Sequence, residues 1–171
     1  MHLIKLANLL LISFLLTACL EDLTPESKDL RSMSDEDPSH AENFIATTTL
    51  NQSIMLKDEL LTHDAVVLYF TMWCPLCDSH MSHIRSHVIN HYPNVAFYMV
   101  DYVSGNISQS RSSQVANGYK DLTLLVDNLQ SLLNTFDATM ASVVVIDNHN
   151  SILLNEDYKD GSRLINTLNN I

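Results

Sequence analysis

An α/β fold, three layers deep around a central mixed sheet, is predicted by three features of the 171-residue chain. Residues 65–70 and 143–146 are continuously apolar and rich in β-branched side chains, the pattern of strands buried on both faces. Segments with apolar residues three and four apart alternate with the strand-like runs, so helices should cover both faces of the sheet. The turn-forming Asp147-Asn148-His149-Asn150 joins the second run to residues 152–154, which gives a hairpin and an antiparallel component.

Taken in order, the ordered domain should begin near Phe44. Residues 44–49 read as a strand, 54–56 as its short partner and 57–62 as a short helix. The central strand at 65–70 follows. Residues 75 to about 91 are helical by pattern, because Met81, Ile84 and Val88 recur at helical spacing, and Pro93-Asn94 ends the run. Residues 95–100 form the next strand. Residues 104–118 are polar, carry Gly105 and Gly118, and read as a loop with one or two helical turns near 112–116. A strand at 122–126 leads to a helix whose face is Leu129, Leu132, Leu133 and Phe136. After the hairpin, Leu164, Ile165 and Leu168 mark a final helix. In such folds a reactive site belongs at the C-terminal end of a central strand, and Cys74 falls there.

The N-terminus reads as an export signal. Lys5 precedes the apolar core Leu9 to Leu16, which is too short to span a bilayer comfortably. The ending Leu16-Thr17-Ala18-Cys19 resembles the lipobox of bacterial lipoproteins. That resemblance implies cleavage after residue 18, a lipid on Cys19 and attachment to the membrane. Leu20, in place of Asp, resembles the pattern sorted to the outer membrane. Residues 19–43 then form an acidic tether, with Glu21, Asp22, Glu26, Asp29, Asp35, Glu36, Asp37 and Glu42 among Ser and Pro, a composition that stays solvated. The expected organisation is a signal peptide at 1–18, a lipidated tether at 19–43 and a domain at 44–171. Loss of Lys5 takes the formal charge from −11 to −12, which disfavours nucleic acid and anionic headgroups as partners.

Of the three cysteines, Cys74 and Cys77 remain for each other. A cysteine at a helix N-terminus has its thiolate stabilised by free backbone N–H groups and the helix dipole. A second cysteine three residues on shares the same helix face. Cys74 is therefore the expected nucleophile and Cys77 the resolving partner in thiol–disulfide exchange. Pro75 is tolerated in the first turn. A structural bridge over so small a loop would remove little chain entropy, and a zinc site would need a second ligand pair.

The segment Val66 to Cys77, VVLYFTMWCPLC, resembles the strand and active site of the thioredoxin superfamily. The later elements are similar to exported thioredoxin-like proteins of the cytochrome c maturation and redoxin type. The resemblance spans about residues 44–171. It implies a thioredoxin fold and an enzyme exchanging protein disulfides through Cys74 and Cys77. A substrate groove would be lined by Trp73, Pro75, Met140 and Ala141, with Tyr69 and Phe70 nearby. Other implied partners are protein dithiols or disulfides and an envelope electron donor. No cofactor is expected, since the chain has three glycines and no dinucleotide-binding turn.

Three positions depart from that family. Ala141 stands where the family has a cis-proline, so a trans Met140–Ala141 bond is expected. Leu68 stands where thioredoxins carry a buried Asp. Asn106 is nearest to a Glu used by the cytochrome-maturation relatives. Without these carboxylates the base that deprotonates Cys77 is unassigned. Thr71-Met72-Trp73-Cys74 also matches the Thr-x-x-Cys of peroxiredoxins, but Val67 replaces their proline.

His80, His83, His87 and His91 are spaced three, four and four, which forms one stripe on a regular helix. Three roles fit: a solvated face, a pH-sensing face, or a Cu or Zn site in which His80, His83 and His87 join Cys74 and Cys77, with Met72 and Met81 as further soft donors.

Overall fold

The computed structural model describes residues 40–171. The expected signal peptide, Cys19 and most of the expected tether lie outside the described residues. The sheet has seven strands: β1 (Ile45–Thr48), β2 (Ser53–Met55), β3 (Ala65–Thr71), β4 (Val95–Asp101), β5 (Thr123–Val126), β6 (Ser142–Asp147) and β7 (Ile152–Asp157), in the order β2-β1-β5-β4-β3-β6-β7. β3, β4 and β5 run parallel, while β1, β6 and β7 add antiparallel edges. The mixed sheet expected from the two apolar runs is thus present, with β3 and β6 as antiparallel neighbours inside it.

Side chains alternate across each strand. On one face Val67, Tyr69, Met99, Val143 and Val145 pack with Met81, Ile84, Val88, Leu164 and Leu168. These belong to the helix α2 (Pro75–His83), its continuation, and α5 (Ser162–Leu168). On the other face Val66, Leu68, Phe70, Val100 and Val144 pack with Leu56, Leu132 and Phe136 from α1 (Leu56–Glu59), α4 (Ser131–Thr135) and its end. The β6–β7 turn forms as expected: Asp147 Oδ1 accepts the N–H groups of His149 and Ser151 at 3.0 and 2.7 Å.

Four elements differ from the sequence reading. Packing begins before Phe44, since Ala41 is buried and its N–H bonds the Asn150 carbonyl at 3.0 Å. The polar segment read as a loop contains the ten-residue helix α3 (Ile107–Ala116). Asn106 caps it, its Oδ1 accepting the Gln109 N–H at 2.9 Å. The buried residues of α3 are Ser110 and Gln114, so apolar periodicity could not reveal it. Gln114 replaces apolar packing with hydrogen bonds. Its Nε2 donates to the Tyr119 and Leu122 carbonyls, and its Oε1 accepts from Thr49. Finally, the helix after the cysteines is not regular to residue 91. It passes through a π-helical turn at Ile84–Val88 and a 3₁₀ turn at Ile89–His91, and Asn155, Glu156 and Asp157 extend β7 past the residue expected to end it.

Gly161 opens α5 with φ +81°, and a Cβ there would lie 2.5 Å from the Tyr158 hydroxyl and 2.9 Å from His83 Cε1. Gly161→Ala is expected to destabilise the domain by about 2–4 kcal/mol, combining left-handed strain with overpacking. Urea denaturation monitored by circular dichroism would measure the loss.

Candidate active site

β3 ends at Thr71, and two residues later the chain turns sharply into α2. Trp73 makes that turn with φ +61°, a left-handed conformation that strains a bulky residue. Its side chain is anchored. The indole Nε1–H donates to Asp101 Oδ2 at 2.9 Å and contacts Ser104 Oγ at 3.2 Å. Asp101 is opposite Thr71 in the β3–β4 register and only 1 % exposed. Its Oδ1 accepts the N–H groups of Val103 and Ser104, each at 3.0 Å. Sequence reasoning missed Asp101. Its one available signal was an acid at the C-terminal end of an otherwise apolar strand.

Cys74 occupies the N-cap of α2, and Pro75 takes the first turn. The Cys74 Sγ accepts the Cys77 N–H at 3.2 Å and lies 2.9 Å from the Cys77 Sγ. Both thiols are free; Cys77 is buried and Cys74 is partly exposed. Burial pushes the Cys74 thiol up. The Cys77 thiol and the backbone N–H groups of Cys77 and Leu76 outweigh that by hydrogen bonding, and hold it below the ordinary thiol range. The pair is thus an accessible, activated sulfur over a protected one.

Met140, from the loop before β6, comes to Cys74. The Met140 Sδ lies 3.5 Å from the Cys74 Sγ. The Met140–Ala141 bond is trans, and Ala141 adopts φ +67°. Ala141 is pinned by its N–H to the Phe70 carbonyl at 3.0 Å and its carbonyl to the Tyr158 N–H at 2.8 Å. Met72, Leu76 and Met140 are exposed by 41 %, 50 % and 38 %, so accessible apolar residues flank Cys74 in sequence and, at Met140, in contact with its sulfur.

Leu68 is fully buried in the α1–α4 core. The neighbouring Tyr69 faces α2 instead, so strand alternation gives the cysteines a phenol. Asn106 serves as the α3 cap. Thr71 Oγ1 accepts the Trp73 N–H at 3.3 Å, a local turn contact.

The four histidines do not form one face. His80 is buried, with its Nδ1 3.0 Å from the Tyr69 hydroxyl. His83 is half-buried, with its Nδ1 2.6 Å from the Tyr158 hydroxyl, and stacks on exposed His87 at 4.9 Å between centroids. His91 is exposed beyond the π-helical turn. Among the described residues, no group of three His, Cys, Asp or Glu side chains is placed to hold a metal ion. The arrangement expected of a metal face is therefore replaced by two histidine–tyrosine pairs.

Burial, followed by the His83 charge, holds the His80 pKa below the usual imidazole value. An unfolded chain therefore binds the proton first, near pH 6.5 by the ordinary value, and stability falls as pH drops below that. His80→Gln should flatten this part of the stability profile, as read by urea midpoints between about pH 7.5 and pH 5.

No protein-family model and no curated protein matches the chain. Its backbone is similar to solved structures. A thioredoxin-like protein from Aeropyrum pernix superposes with a TM-score of 0.62 at 18% identity, over 75% of this chain and 89% of that one. The thioredoxin domain of a thiol-disulfide oxidoreductase from Bacteroides vulgatus gives 0.63 at 15% identity, over 80% and 98%. The exposed lipoprotein thioredoxin of Streptococcus pneumoniae gives 0.62 at 19% identity, over 76% and 100%. The chain has the thioredoxin fold.

Proposed function

We propose that this thioredoxin-fold chain is a thiol–disulfide oxidoreductase of the bacterial envelope, acting on protein disulfides. The observation that carries the reading is the partly exposed Cys74 thiol at the helix N-terminus, held below its ordinary pKa and 2.9 Å from the buried Cys77 sulfur. The Cys74 thiolate attacks a substrate disulfide, forming a mixed disulfide and releasing one substrate thiol. Cys77, deprotonated, then attacks the Cys74 sulfur. The Cys74–Cys77 disulfide forms and the second substrate thiol leaves. An envelope dithiol protein returns two electrons to restore the reduced pair.

Met72, Leu76 and Met140 suit an apolar segment flanking the substrate disulfide, with Trp73, Pro75 and Ala141 shaping the groove. Cys19 carries the lipid that holds the domain at the outer membrane, facing the periplasm. The lipobox-like sequence supports this, and one structural neighbour is itself an exposed lipoprotein. Turnover of insulin disulfides with dithiothreitol as donor tests the activity, and a wild-type rate no greater than the dithiothreitol background would refute it. Mass spectrometry of the mature N-terminus tests the anchor: a diacylglyceryl Cys19 is expected, and an unmodified terminus elsewhere would refute it.

A further inference from the structure

Thiol–disulfide exchange needs Cys77 to lose a proton at the moment it attacks. Cys77 is fully buried beneath Cys74, out of reach of bulk water. The strand position at which thioredoxins carry an acid holds Leu68, buried on the far face of the sheet. A different set of polar groups surrounds Cys77. Tyr69 is fully buried on β3 and packs against α2, the helix that carries Cys77, and the nearby Cys77 thiol is among the causes that raise its hydroxyl's pKa. The same hydroxyl lies 3.0 Å from His80 Nδ1. His80 follows Cys77 by three residues, which puts both on one helix face, and it is 7 % exposed.

We propose that Tyr69 and His80 are the proton-accepting pair for Cys77, with the tyrosine hydroxyl passing the thiol proton to the histidine. The inference rests on the exchange reading above and extends it. His80 sits as the Nε2–H tautomer, so that Nδ1 accepts the Tyr69 O–H. As the Cys77 S–H proton moves to Tyr69 Oη, the Tyr69 proton moves to His80 Nδ1. This leaves a Cys77 thiolate, a neutral tyrosine and an imidazolium. The thiolate attacks Cys74 Sγ in the mixed disulfide, and the departing substrate thiolate takes a proton from solvent. The imidazolium returns its proton as the pair is reduced again.

Burial raises the Tyr69 hydroxyl far above its ordinary pKa. It therefore gives up a proton only as it receives one, which suits a shuttle and not a resting phenolate. The groups facing this pair are few. Tyr158 packs on both rings, at 5.8 Å from Tyr69 and 4.8 Å from His80 between centroids. Burial and the nearby Asp160 carboxylate push its pKa up to about 12, so it stays neutral. His83, hydrogen-bonded to Tyr158, adds repulsion when charged. The Cys77 thiolate supplies the negative charge that the imidazolium balances, because Cys74 is neutral in the mixed disulfide.

The test is stopped-flow reaction of the reduced full chain, in detergent, with the chromogenic disulfide dithionitrobenzoate. Attack by Cys74 releases one coloured thiolate, and resolution by Cys77 releases the second. Tyr69→Phe, which keeps the ring, and His80→Gln are expected to slow the second phase by about 10- to 100-fold at neutral pH. The first phase should stay within about twofold, since Cys74 is activated elsewhere. At about pH 9.5, where hydroxide reaching the pair through local opening can serve as the base, both variants should regain the wild-type second phase. An unchanged second phase at neutral pH overturns the proposal. So does a slowing that persists at high pH, because that is a packing defect. A wild-type reaction that stops after one coloured thiolate overturns the exchange reading itself, and the variants are not needed to see it.

Discussion

Cys74→Ser is expected to lower insulin disulfide reduction to the dithiothreitol background, whereas Cys77→Ser should stall the reaction with substrate covalently attached. The two cysteines are not equivalent in the structure. Cys74 is partly exposed, caps α2 and has a pKa below the ordinary thiol value. A serine hydroxyl there has no accessible anion near neutral pH, so the first bond never forms. Cys77 is buried, with its sulfur 2.9 Å from the Cys74 sulfur. Its loss leaves the first attack intact and removes the intramolecular exit, so a mixed disulfide with one insulin chain accumulates. Non-reducing electrophoresis should display that adduct for Cys77→Ser and none for Cys74→Ser. Adducts in the opposite variant would reverse the assignment of nucleophile and resolving thiol.

Asp101→Ala should produce the second large effect, a loss of about 3 kcal/mol in unfolding free energy, together with a shift in tryptophan emission. Three donors converge on this nearly inaccessible carboxylate: the Trp73 indole and the Val103 and Ser104 N–H groups. Alanine removes the acceptor of all three at once. The strained φ of +61° at Trp73 then has less to hold it, and the adjoining Cys74 loses its fixed position at the helix start. Asp101→Asn separates the contributions. Its amide oxygen can still serve the turn at Val103 and Ser104, while its NH₂ meets the indole N–H as donor against donor. Emission should therefore shift in both variants, but Asn should lose less stability than Ala. Trp73 is the sole tryptophan of the chain, so the signal reports this site alone. An Asp101→Ala protein within about 0.5 kcal/mol of wild type would mean that water replaces the carboxylate freely.

Much of the architecture was legible because apolar burial leaves a periodic trace. β3 and β6 are buried on both faces and appear in the sequence as unbroken apolar runs. The hairpin after β6 was legible from Asp and Asn turn chemistry, and the dithiol from cysteine spacing at a strand end. What escaped was held by polar groups. α3 buries a serine and a glutamine, so a hydrogen-bonded interface looked like a solvated loop. Likewise Asp101 carried no motif, and its importance lies in three donors that the β3–β4 register and the following turn bring to it.

By itself the sequence determined the two reactive sulfurs, their place at a strand end and the apolar sheet beneath them, because spacing and hydrophobic pattern are local properties. Only the tertiary structure decided what the sulfurs touch. Strand alternation turned Leu68 away and Tyr69 toward Cys77. Packing under Tyr158 made His80 and His83 partners of tyrosines, and left His87 at the surface. A left-handed Ala141 brought Met140 against Cys74 from 66 residues away. Such contacts join residues far apart in the chain, and their geometry exists only once the core has closed around them.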